Sequence, residues 1–153
     1  MLRISLASLH LVALALGMMA TVLRGSALRE QTEAGLRRAL RLDTIWGIAA
    51  ALWILTGLWR LFGGVEKPLA YYIANHWFMA KMGLFVLIVA LEISPMITLT
   101  RARSALRRRL DPLAVVVPAA KRIQLIGHVQ ATLALAMIFL AAAMARGYGV
   151  ISG

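Results

Sequence analysis

Apolar residues along this chain fall into four runs, near 4–23, 44–62, 77–100 and 123–145, separated by short polar stretches. A helix needs about 20 residues to cross a hydrocarbon core. In lipid every backbone polar group must be satisfied internally, so such runs fold as helices. The pattern therefore predicts an all-α integral membrane protein. Its single domain, residues 1–153, is an antiparallel four-helix transmembrane bundle with loops at 24–43 and 101–122.

Inside the third run stand two charges, Lys81 and Glu92. Eleven residues at 100° each make about 1100°, three turns plus about 20°, so both project from one helix face. A charge facing lipid near the bilayer centre costs at least about 2.5–3.5 kcal/mol, so that face looks toward protein or a wet cavity. Pro95 removes a backbone hydrogen bond near the inner end of this helix and predicts a kink there.

Between the first two runs, residues 27–42 are rich in helix formers, with Leu28, Leu36 and Leu40 leaving one apolar side. This segment is either a cytoplasmic extension or a helix in the headgroup plane. Asp43 and Thr44 offer an N-cap for the second crossing. Gly63 and Gly64 end that crossing, and Trp59, Tyr71, Tyr72 and Trp77 make an aromatic belt on the outer side. Asp111-Pro112 stops the helical overrun of the third crossing.

Composition agrees with a membrane chain: 61% of the residues are hydrophobic, against roughly 45–50% in soluble domains. The net charge of +11 changes the picture only through its placement. Twelve of the seventeen basic residues lie in the two loops 24–43 and 101–122. By the positive-inside rule these loops are cytoplasmic and both termini lie outside. The basic loops point to anionic lipid headgroups as partners rather than nucleic acid. Residues 1–20 resemble a signal peptide, but the apolar run is too long and lacks a clear cleavage site, so it reads as a retained first helix. With no cysteine, disulfides and thiolate metal sites are excluded.

Depth, at 1.5 Å per residue, sorts the polar residues into two layers. His10, His76 and Lys81 form an outer layer within roughly 9 Å of the outer boundary. Glu92, roughly 24 Å in, and His128, about 10 Å from the inner boundary, form an inner layer that could carry protons. Each has two readings. His10 is a haem ligand or a neutral group hydrogen-bonded between helices; His76 is a second ligand or an interfacial residue. Lys81 binds an anionic group or snorkels outward. Glu92 is a functional carboxyl or is hydrogen-bonded to His128 or Thr98. Trp46 and Trp53, seven apart, read as a core stripe, and the methionines as gap fillers. No phosphate-binding glycine loop, metalloprotease motif, nucleophile elbow or glycosidase carboxylate pair is present.

Several segments carry a resemblance: Leu9-His10; Asp43 to Gly47; Leu52 to Arg60; Glu66-Lys67 with Tyr71-Tyr72; Asn75 to Met82; and Leu91 to Met96. Together they resemble a family of small bacterial membrane proteins known as domain of unknown function 2214, which implies a four-helix inner-membrane protein. More distantly, His10 and Lys81 match two positions of the HemJ-type protoporphyrinogen oxidases, which bind haem b. Met79 stands where that type has a histidine, and His76 lies five residues before the lysine. CopD-type copper-transport modules share the same loose layout. The resemblance implies haem b held by His10, His76 and Lys81 in a redox-linked protein. The competing expectation is a small transporter or a non-enzymatic accessory subunit, as a homo-oligomer or within a larger complex. No metal site is expected, and the sequence leaves open whether the chain is an enzyme.

Overall fold

The computed structural model describes residues 1–64 and 67–149; Glu66, part of one resemblance motif, lies outside the described residues. Helices α1 (Leu2–Arg29) and α2 (Glu33–Phe62) form a hairpin, followed by the short α3 (Leu69–Ile73) and by α4 (His76–Arg107). A turn of helix, α5 (Leu113–Val116), and a 3-10 turn (Val117–Ala119) lead into α6 (Ala120–Ala145). Four segments are long and apolar enough to cross a membrane: α1, α2, α4 and the stretch Leu113–Ala145. Neighbouring helices run antiparallel: His10 meets Thr56 across α1 and α2, and Gly127 packs against Thr21 across α6 and α1. Gln130 reaches Ile88 across α6 and α4.

The helices outrun the apolar segments at the Arg-rich end. The expected loops 24–43 and 101–122 are mostly helical, leaving connections only at 30–32 and 108–112. Thr32, not Asp43 or Thr44, caps α2, its hydroxyl accepting from the Gly35 amide at 3.0 Å. The physical reason is burial. Leu28, Leu36, Leu99 and Ile123, each at most 2% exposed, pack with Ala39 and Ala102 into a core beyond the polar layer. The apolar side of residues 27–42 thus faces other helices rather than headgroups. Gly35 lets the hairpin close, since a Cβ there would lie 2.5 Å from the Ala27 carbonyl oxygen.

A second core lies toward the other end, built from Ala13, Leu14, Trp53, Ile88, Ala134 and Met137, with Trp46 and Phe85 packed against it. Backbone contact is close between α1 and α2 and between α6 and both α1 and α4, but slight between α2 and α4. Large side chains span that wider gap, as where the Trp53 and Phe85 rings meet edge to face at 5.5 Å. α4 runs through Pro95 as one helix. At its start, Asn75 is fully buried: its Oδ1 accepts from the Trp77 amide and its Nδ2 donates to the Tyr148 carbonyl, tying the segment after α6 to the α4 N-terminus.

Candidate functional site

Between the two apolar cores all four long helices contribute to one polar layer. Arg24, from the last two turns of α1, has no exposed surface. Its guanidinium grips Glu92 of α4 in a fork, Nη1 to Oε1 at 2.6 Å and Nη2 to Oε2 at 2.9 Å. Nη1 also donates to Asp43 Oδ1 of α2 at 2.7 Å. Asp43 Oδ2 in turn pairs with Arg103 Nη1 at 2.7 Å, and Arg103 Nη2 donates to the Leu40 carbonyl at 3.0 Å. From α6, Gln130 Nε2 donates to Glu92 Oε2 at 3.0 Å and to the Ile88 carbonyl at 3.1 Å.

The chain Arg103–Asp43–Arg24–Glu92 alternates in sign and sums to zero. Forked, charge-assisted bonds of this kind are among the strongest that side chains make. With both carboxylates only 12–14% exposed, each charge holds its neighbour in a medium where an unpaired ion is expensive. Among the described residues four buried polar atoms have no hydrogen-bond partner: Arg24 Nε and Gln130 Oε1 in the layer, Ser94 Oγ on α4 and Trp53 Nε1 on α2. Chemically the layer is a lock. It joins four helices by groups that attract one another more than they attract lipid.

Toward the other end of α1, His10 is buried. Its Nδ1 lies 2.9 Å from Thr56 Oγ1, and that hydroxyl is also 2.6 Å from the Leu52 carbonyl. The same hydroxyl lies 3.1 Å from the Trp53 carbonyl, so Thr56 ties the His10 ring to the backbone of α2. The His10 ring leans on Trp53 with centroids 5.9 Å apart, and Gly57 gives it room, since a Cβ there would lie 3.2 Å from His10 Cε1.

The predicted layers are assembled differently from the sequence reading. His76 is the first residue of α4 and exposed, its amide bonded to the Gly149 carbonyl. Lys81 is half-buried on α4. Glu92 does turn inward, but its oxygens are taken by Arg24 and Gln130 rather than by His128 or Thr98. Thr98 donates to its own helix at Ser94. His128 is exposed on α6, because two residues from the inward-facing Gln130 is about 200° of rotation.

These placements do not make a haem pocket as packed. His10 is enclosed by Thr56, Trp53 and Gly57, while His76 stands exposed at the start of α4. The hollow inside the bundle, between Leu14, Trp53 and Gln130, is lined by neither histidine and measures about 10 Å³, the room of one water. Small-molecule sites run to several hundred Å³. Among the described residues no three His, Asp or Glu side chains gather as a metal site.

Sequence reasoning missed Arg24, Asp43, Arg103 and Gln130 as members of the site. A signal was available for Arg24: His10, Gly17 and Arg24 stand seven apart, on one stripe of α1, and all three are buried.

A family model described as "Predicted membrane protein (DUF2214)" matches residues 2–149. No curated protein and no solved structure matches the chain.

Proposed function

Because this chain belongs to the DUF2214 family of predicted membrane proteins, we propose from its geometry that it is a non-enzymatic accessory subunit of a larger complex in the bacterial inner membrane. The Arg-rich turns face the cytoplasm and both termini lie outside. The observation that carries this reading is the contrast between two ionisable groups at similar depth. Glu92 is bound within the bundle by Arg24 and Gln130. His128 is two residues from Gln130 along α6, about 3 Å, and exposed. Ionisable residues within membrane helices almost always face protein or a wet cavity. A partner seated on the outer face of α6, over Leu125, His128, Val129 and Thr132, gives His128 that environment.

In this reading the Arg24–Glu92 layer keeps four helices in register so that the outer face is presented rigidly. A photoreactive amino acid at position 128, irradiated in living cells, tests it. The expected product is an adduct to a different polypeptide; adducts to lipid alone overturn the proposal. The redox reading, with haem b on His10, requires α1 and α2 to part around Trp53. A Soret band in the purified protein that is lost in His10→Ala would establish that reading in place of this one.

A further inference from the structure

At the Arg-rich end, where α4 leaves the bundle beside the α5–α6 junction, lies a cleft of about 360 Å³ lined by Thr98, Arg101, Val115, Pro118, Ala119 and Arg122. Its size is in the range of small-ligand sites. Arg101 and Arg122 are exposed, and neither guanidinium makes an ion pair or hydrogen bond to a described residue. The nearby carboxylates are already committed. Asp43 and Glu92 hold Arg24 and Arg103; Glu30 and Glu33 hold Arg38 and Arg37; Asp111 accepts from the Leu113 amide. Two guanidinium groups thus flank one cleft, and neither pairs with a described carboxylate of the chain.

We infer that this cleft binds the phosphate of an anionic phospholipid headgroup. Arg101 lies nine residues beyond Glu92, about 13.5 Å along α4, and Arg122 eight residues before Gln130, about 12 Å along α6. Both therefore stand at one level, past the buried layer, where headgroups lie. A guanidinium offers paired N–H donors that match phosphate oxygens, and two of them approach one phosphate from opposite walls. Val115, Pro118 and Ala119 supply an apolar wall for the glycerol and the upper acyl chain. Basic pockets between membrane helices on the cytoplasmic side suit such headgroups. Arg122 lies six residues before His128, about 9 Å along α6, and the inference rests on the cleft alone, independently of the subunit reading.

The test is native mass spectrometry of the full chain in detergent, titrated with phosphatidylglycerol or phosphatidylcholine. Phosphatidylglycerol should bind at least about tenfold more tightly than phosphatidylcholine. Both residues are exposed, so Arg101→Gln with Arg122→Gln leaves the fold intact and should bring that preference below about threefold, whereas Arg107→Gln with Arg108→Gln should keep it. An unchanged preference in the first variant, or an equal loss in the second, would assign binding to diffuse surface charge and overturn the site. Competition by millimolar inorganic phosphate in the parent chain would mark the cleft as a free-phosphate site and overturn the lipid assignment.

Discussion

Replacing Arg24 by methionine removes the centre of the ionic layer while keeping a long apolar stem. Three charge-assisted hydrogen bonds disappear, two to Glu92 and one to Asp43. The two carboxylates do not suffer equally. Asp43 keeps Arg103 at 2.7 Å, whereas Glu92 keeps only the neutral amide of Gln130. The loss is therefore chiefly that of one uncompensated carboxylate, 14% exposed, and removing one partner of a buried pair costs about 3–5 kcal/mol. Glu92→Met should cost less, because Arg24 retains Asp43. The double variant removes the orphaned charge and should cost less than the sum of the two singles by about 2–3 kcal/mol. Unfolding in mixed micelles by increasing SDS, followed by the fluorescence of the four tryptophans, reads all four proteins. Additive losses, or a loss under about 1 kcal/mol for Arg24→Met, would refute the lock.

Other consequences follow from the same geometry. Thr56→Val removes the hydroxyl that His10 Nδ1 meets at 2.9 Å across α1 and α2 and should cost about 1–3 kcal/mol in the same titration. Gly127→Ala places a Cβ 2.6 Å from the Thr21 carbonyl oxygen and should lose about 1–3 kcal/mol, while Gly83→Ala, where a Cβ meets nothing within 4 Å, should leave the midpoint unchanged or raise it. The chain has no cysteine, so single cysteines report topology directly. One at Gln31 should react with an impermeant maleimide only after the cells are opened, and one at Gly147 in intact cells.

The four crossings were legible because hydropathy and the 20-residue length rule are strong signals. The helix ends were not. A hydropathy run stops at its first charge, so Arg24 and Asp43 read as loop and cap, although both lie within helices that continue into the apolar core around Leu28, Leu36, Leu99 and Ile123. The basic loops were read for their charge count, which says nothing of which arginine turns inward. Glu92 was found because an acid amid apolar residues stands out, and its partner was misassigned because depth alone does not fix a helix face: His128 and Gln130 share a depth and point about 200° apart. Gln130, neutral and single, gave no signal against the alanine-rich background of α6. His10 stands out as a polar residue in an apolar run, but its engagement by Thr56 depends on the α1–α2 register, which periodicity does not set.

The most direct test of the subunit account is the composition and mass of the particle extracted from native membranes with its surrounding lipid, without detergent. The account predicts a particle holding at least one other polypeptide beside the 16.7 kDa chain. A particle made of this chain alone, singly or as copies of itself, would contradict it.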